Sequence, residues 1–346
     1  MASIPDPVRR AVVLADVAAA AGVSSQTVSR VLNGERWVAE ATRARVLEAA
    51  QRLNYRPNRA ARTLATQRSR SLGVVGLDEA LFTSVSPLIS FERAARAAGY
   101  NLNVASVTDM DERSIGAAFD TLSELSVDGV LMAAPGEDVV EPLRRFSRRV
   151  PTVAVEVGPS AGVPTVGLDQ RGAARSAVEH LLSLGHQRIG HVSGPLSRLE
   201  SRERLEGWRE ALHAAGVCAP DPWPGDWSPE SGYAAGLRYL QQCDIEARDV
   251  TAVFVACDRM ALGFMRALHV RGVRIPDEVS VVGFDDVPDA AYFTPALTTV
   301  RQSFTEIGEA CLDLLLARMA DPDGPPEHRT VGTRLVVRES TASRCR

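Results

Sequence analysis

Five hydrogen-bonding side chains, Ser25, Gln26, Thr27, Ser29 and Arg30, fall within six consecutive positions broken only by Val28. An amide and a guanidinium hold their donors in flat, fixed geometry, which suits contact with a planar polar edge. The surrounding residues specify the elements that must hold them. Val17, Ala18 and Ala21 form one apolar face, and Val28, Val31 and Leu32 form another. Gly22 suits a helix end that requires positive φ, and Ser24 is placed to cap the helix that follows. Two short helices therefore flank a turn, with the polar side chains early on the second helix and mostly off its buried face. The major groove of DNA admits such a helix. A small helical bundle with a polar face reads the same way, and the basic stretch NYRPNRAARTLA, residues 54–65, decides for nucleic acid.

Charge divides the chain. Residues 1–70 hold 12 Arg and 5 acidic residues, a net of +7, whereas the remainder holds 27 Arg and 38 acidic residues, a net of −11. The overall −4 thus conceals a basic head on an acidic body. Arg that neutralises phosphates releases condensed counterions, so a polyanion is the simplest partner for the head. The chain has no lysine, which explains the choice of Arg but not its concentration at one end.

At 346 residues the chain has room for two or three domains, each with its own core. No apolar run approaches the ~20 residues that span a bilayer, and the N-terminus lacks the charged and apolar regions of a secretory signal. Cys218, Cys243, Cys257, Cys311 and Cys345 are scattered without a CxxC, which indicates a reducing cytoplasm rather than a disulfide or zinc framework. His186 and His191 flank a strand and point different ways along it, so no metal or cofactor is expected. No GxSxG elbow, P-loop or GxGxxG stands between a strand and a helix, and no catalytic constellation is visible.

Beyond residue 70, short apolar strands alternate with amphipathic helices. Strands are expected at Leu72–Val75, Asn103–Ser106, Gly129–Ala133, Thr152–Val155, Arg188–Val192, Ala252–Val255 and Ser280–Gly283. Between them lie helical patterns at Phe91–Ala98, Ile115–Leu125, Ala173–Leu184, Arg204–Ala215, Ser231–Leu240, Met260–Arg271 and Phe304–Ala320. This alternation makes parallel sheets with helices on both faces, enough for two lobes. Passages between the lobes are expected near Val163–Asp169 and Thr298–Val300. Small ligands bind where such lobes face each other.

Over nearly its whole length the sequence resembles the LacI/GalR family of bacterial repressors, the lactose-repressor type. The resemblance is carried by DVAAAAGVSSQTVSRVLNG, YRPNRAARTLA, LLSLGHQRIGHVSGP, ERLEGWREAL, VACDRMALGFMRAL and VSVVGFDDVPDAAYFTPALTTVRQSF, in the family's order. It implies an α/β protein: an N-terminal helix-turn-helix DNA-binding head joined to a two-lobed periplasmic-binding-protein-like core of parallel sheets. The implied divisions are a head at 1–58, a hinge at 59–70, a first lobe at 71–167 plus 298–330, and a second lobe at 168–297 plus 331–346. The implied partners are a near-palindromic double-stranded operator, a small-molecule effector of sugar type, and a second copy of the chain. The tail after Val337 has no leucine heptad, so a dimer is expected rather than a coiled-coil tetramer.

By the same resemblance, Ser25, Gln26 and Arg30 match base-reading positions; Gln can pair with adenine's edge and Arg with guanine's. Thr27, Ser29, Asn33, Thr42 and Tyr55 match positions that touch phosphates or brace the head. Asn58, Arg59 and the residues to Leu64 match a hinge helix too short to form alone in water, and Leu64 matches a side chain that wedges between base pairs. Val13 departs from the family's Thr or Ser cap, so Asp16 or a backbone contact must substitute.

Arg204 and Asp285 match positions that hold a polar ligand by charge-assisted bonds, and Trp227 matches a ring that packs on a sugar face. Glu156 and Gln302 match further hydrogen-bonding positions. Two departures cut against a detailed carry-over: Cys257 stands where the motif reads Asn-Asp, which removes an amide that bonds the ligand in the family, and Glu156 replaces a shorter aspartate. The wall at Leu77–Phe82 is similar to the apolar wall of the lactose-repressor subgroup, and a modest-sized sugar, a galactoside or glucoside, is the expected effector. Arg198 sits where purine-sensing relatives place an extra Arg, which keeps a purine corepressor open. Asp258 is expected to bond backbone amides in its turn. A free sugar-binding protein would explain only the lobes, and an enzyme neither the head nor the missing catalytic groups.

Overall fold

Apolar residues recurring every three or four positions fold the N-terminal unit, residues 1–70, into three helices: α1 Leu14–Ala21, α2 Ser25–Leu32 and α3 Glu40–Arg52. The structure is a computed structural model that describes residues 12–32, 37–55, 68–77, 85–109, 111–133, 139–157, 162–242 and 250–344. Val17, Ala18 and Ala21 of α1 pack with Val28 and Val31 of α2 and Val46, Ala49 and Ala50 of α3. Gly22 closes α1 at φ 65°, donating its N–H to the carbonyls of Ala18 and Ala19. The Ser24 Oγ accepts the Thr27 N–H at 3.2 Å, as the cap for α2 requires. At Val13 the Asp16 carboxylate accepts the Val13 N–H at 2.9 Å, which is half of a reciprocal capping pair and places negative charge in the first turn.

The second unit, residues 71–346, carries two six-stranded sheets. The first uses β1 Ser71–Leu77, β2 Asn101–Val107, β3 Gly129–Ala133, β4 Thr152–Val155, β5 Thr165–Leu168 and β11 His328–Val331. Its order is β11-β5-β4-β3-β1-β2, parallel throughout. The second uses β6 Ile189–Ser193, β7 Trp223–Pro224, β8 Ala252–Val255, β9 Ser280–Asp285, β10 Thr298–Gln302 and β12 Thr333–Val336. Its order is β12-β10-β9-β8-β6-β7, with only β12 antiparallel.

Helices cover both faces of each sheet, and the central strands, such as β1, β3, β8 and β9, are accordingly apolar along almost their whole length. Around the first sheet lie α4 Val85–Ala97, α5 Glu112–Glu124, α6 Val140–Phe146 and, late in the chain, α11 Phe304–Ala320. Around the second lie α7 Gln170–Ser183, α8 Leu199–Ala214, α9 Pro229–Gln242 and α10 Asp258–Val270. Helices α9 and α10 approach so closely that a Cβ on Gly263 would lie 1.8 Å from the Pro229 carbonyl oxygen. None of the described helices is long and apolar enough to cross a membrane.

The chain passes between sheets three times: at Asp169 after β5, at Ser303 after β10, and at Gly332 after β11. The expected division at residue 298 is therefore corrected. Thr298–Gln302 pairs with β9 and β12 in the second sheet, and the return to the first lobe comes at Ser303, which caps α11.

If Asp16 replaces the missing cap, Asp16→Ala lowers the stability of the head by about 1 kcal/mol. Far-UV thermal melting of the full chain checks this; an unchanged head transition would mean that the Val13 N–H needs no partner.

Candidate functional site

On α2, Ser25 lies one turn from Ser29 and Gln26 one turn from Arg30, so the four form a stripe opposite buried Val28 and Val31. Ser25, Gln26 and Arg30 are exposed; Thr27 and Ser29 are half-buried. The Thr27 hydroxyl is 2.9 Å from the Ser24 Oγ, so it serves the cap. Thr42 sits in the first turn of α3, where amides and the helix dipole favour an anion. Tyr55 packs on the head core and donates its N–H to Ala50 O. Asn33, Asn58, Arg59 and Leu64 lie outside the described residues, as do residues 78–82 of the expected apolar wall, Cys243 and Cys345.

In the body, the carboxyl ends of the strands meet around one guanidinium. Arg204, on α8, is 4% exposed. Its Nε donates to Gln170 Oε1 at 2.8 Å, its Nη1 donates to the Ala256 carbonyl, and its Nη1 stands 3.7 Å from Asp285 Oδ1. The guanidinium lies over the Phe284 ring, 3.7 Å from its centroid, with the Trp227 ring at 5.6 Å. Gln170 Nε2 reaches Glu156 Oε2 at 3.4 Å, and Gln302 Nε2 donates to Asp285 Oδ1 at 2.5 Å. The five residues singled out from the sequence, Glu156, Arg204, Trp227, Asp285 and Gln302, are thus brought together, and Gln170 is the link that sequence reasoning missed. As the first residue of α7 it reads simply as a helix start.

The backbone here is strained. Seven non-glycine residues among those described have positive φ. Three are Glu156 at 58°, Trp227 at 74° and Asp285 at 109°, and a fourth, Asp286 at 55°, adjoins them. Such conformations persist where surrounding contacts hold them, often at ligand sites. Asp286 is held by Arg301 and Arg338, whose Nη2 is 2.6 Å from its Oδ1. It is a brace, whereas Asp285 is turned to the cluster. Asp258, 0% exposed, accepts the Val287 N–H at 2.9 Å and the Thr299 hydroxyl at 2.6 Å, bracing the turn after β9. Cys257 accepts the Met260 N–H at 3.5 Å and so caps α10 where the family motif has Asn.

Burial pushes the Glu156 carboxyl up to about 7, helped by the charge of Glu200 and opposed by Arg204 and Gln170. Burial likewise raises Asp285 to about 6 against the pull of Arg204 and the Gln302 hydrogen bond, with Glu200 raising it further. Glu200 is therefore a second residue the sequence reading missed; its signal was the one-turn spacing from Arg204 on α8. His186 bonds Thr251, Ser280 and the Ala342 carbonyl, while His191 stacks between Trp208 and Phe254. They share no partner. A surface depression of about 410 Å³ lined by Arg175, Arg209, Glu210, His213 and Ala214 has no residue in common with the cluster.

Residues 13–58 match the family described as bacterial regulatory proteins, lacI family, and residues 178–341 match the periplasmic binding protein-like domain. The chain is 34% identical over 333 residues to the HTH-type transcriptional repressor PurR of Edwardsiella ictaluri, covering 94% of this chain and 96% of that one. It is 34% identical over 318 residues to the ribose operon repressor of Escherichia coli, covering 89% and 93%. The lac repressor dimer bound to operator and the anti-inducer ONPF matches with a TM-score of 0.85 at 33% identity, covering 96% of this chain and 100% of that chain. The transcriptional regulator CelR in its cellobiose complex matches with a TM-score of 0.70 at 33% identity, covering 95% and 99%.

The raised Glu156 gives a signed pH dependence. Between pH 4.5 and about 7 the folded chain keeps a proton that the unfolded chain has lost, so ionisation removes native stability as pH rises. His191, held near 3 by burial, acts oppositely, removing stability as pH falls below 6.5, but equally in wild type and variant. Glu156→Gln is therefore expected to raise Tm relative to wild type by more at pH 8 than at pH 5. Equal gains at both would mean that Glu156 ionises normally in the folded state.

Proposed function

The chain belongs to the lacI family of bacterial regulatory proteins and is a non-enzymatic, DNA-binding transcriptional repressor, and from that premise we propose a ligand-released repressor that binds a near-palindromic operator as a dimer. Ser25, Gln26 and Arg30 read base edges from α2 in the major groove. Thr27, Ser29, Asn33, Thr42 and Tyr55 contact phosphates or brace the head. Asn58, Arg59 and Leu64 belong to the hinge, and Leu64 is the wedge at the centre of the site. The protein acts in the bacterial cytoplasm, on the nucleoid.

The observation that carries the effector reading is the Arg204 cluster. A guanidinium, the Asp285 carboxylate, the Gln302 amide and the Trp227 ring stand together at the strand ends of the second sheet. A charged fork beside an aromatic ring holds a ring bearing adjacent hydroxyls. A sugar of galactoside or glucoside type is the proposed effector, with Glu156 reaching it from the first lobe. Ligand binding changes how the lobes sit and separates the paired hinges; a differential affinity of about 1–3 kcal/mol between the two states suffices. A second reading, a purine or other metabolite acting as corepressor, is favoured by Arg198, the residue just before α8 and two positions before Glu200.

Operator selection from random duplexes, followed by titration, tests the DNA reading. Gln26→Ala and Arg30→Ala should each cost about 1–3 kcal/mol and relax preference at one base pair. A loss uniform across all sequences would make them phosphate contacts instead. For the effector, Asp285→Asn should fail to release operator at tenfold the ligand concentration that half-releases wild type; a wild-type response would remove Asp285 from the site.

A further inference from the structure

The charges around Arg204 do not balance. Three carboxylates, Glu156, Glu200 and Asp285, belong to the cluster, and the charge of Glu200 bears on both others, raising the proton affinity of each. The neighbouring acids are already accounted for: Asp258 by Val287 and Thr299, and Asp286 by Arg301 and Arg338. Arg204 is the one cation bonded or paired to the cluster among the described residues. It is paired with Asp285 and bonded to Gln170 and the Ala256 carbonyl, with Phe284 on its face, which leaves Glu156 and Glu200 without a cation of their own.

Two buried polar atoms on adjacent residues of α8, one of them on Glu200, lack any partner. The Glu200 Oε2 is buried and accepts no hydrogen bond. Next to it on α8, the side chain of Ser201 is 0% exposed and its hydroxyl is also unpartnered. Native proteins leave few such atoms unpaired, and those that remain call for an explanation such as a ligand. A sugar hydroxyl brings one donor and no charge, whereas an ammonium brings three donors and the missing positive charge.

We propose that the effector is an amine-bearing polyhydroxylated compound of the amino-sugar class, whose ammonium lies against Glu200 between Glu156 and Asp285. This rests on the sugar-effector reading above and narrows it. Arg204 then holds ring hydroxyls rather than an anionic group, and Trp227 packs on the sugar face. The raised Glu156 and Asp285 fit the same picture, since a surplus of buried carboxylates takes up protons when no other cation is present. A carboxylated or phosphorylated sugar adds a further negative charge beside Glu156 and Glu200 and binds less well than the amine.

Calorimetric titration of the full-length protein with glucosamine, galactosamine, glucose, galactose and N-acetylglucosamine, with hypoxanthine alongside, tests this. An amino sugar is expected to bind at least tenfold more tightly than its neutral parent, and N-acetylation, which removes the charge, should erase that advantage. Glu200→Gln should bring the ratio of the two dissociation constants to near one, while Glu200→Asp, which keeps the charge, preserves a preference. A neutral sugar that binds as tightly as its amino counterpart overturns the charge inference and leaves the sugar reading standing. So does an amine preference that survives Glu200→Gln. Hypoxanthine binding in preference to every sugar overturns both.

Discussion

A guanidinium cannot shed its charge, so once Arg204 is buried the surrounding chain must be arranged to satisfy it. The partners come from distant parts of the sequence. Gln170 starts α7 just after the first passage between sheets, the Ala256 carbonyl follows β8, and Phe284 and Asp285 end β9. Gln170 in turn reaches Glu156, which follows β4 of the first sheet. One buried cation therefore ties together strand ends of both lobes. Under the proposed mechanism, a ligand that competes for its partners acts on the lobes in the same contact, without a separate relay.

The strained residues and the braces around them belong to one arrangement. Asp285 at φ 109° and Asp286 at 55° turn successive carboxylates in different directions. Arg301 and Arg338 fix the second, so that the first is presented to Arg204 and Gln302. Arg338 belongs to a C-terminal stretch stitched to the second sheet, where Ser340 donates to Val281 O and accepts from Thr298 N–H. Preorganisation of this kind lets binding free energy go into selecting a lobe arrangement instead of ordering side chains.

The head was legible because its signals are local: a glycine at a helix end, a serine cap, and valines at helical spacing. The long parallel strands were legible because burial on both faces makes them apolar without interruption, as in Val74 and Val75 or Val281 and Val282. What escaped has equally physical causes. Trp223–Pro224 and Thr333–Val336 are too short to show a period, and Val140–Phe146 is a helix of two turns. Thr298–Gln302 begins with threonines that look like a connector until the sheet register shows them buried. Glu200 and Gln170 were passed over because a polar residue on a helix is ordinarily a solvated one, and only the tertiary fold turns these two inward. The Cys257 departure read as a lost ligand, whereas the thiol caps α10.

In the proposed mechanism the site around Arg204 and the operator-binding head share one conformational equilibrium. Linkage makes that coupling reciprocal: a ligand that weakens operator binding by some factor is itself bound more weakly, by the same factor, when operator is present. The direct measurement is calorimetric titration of full-length protein with whichever sugar or amino sugar stabilises it, once free and once saturated with operator duplex. Coupling of the two sites predicts dissociation constants that differ by about 5- to 150-fold, matching the ligand's effect on operator affinity. Equal constants in the two titrations would contradict it.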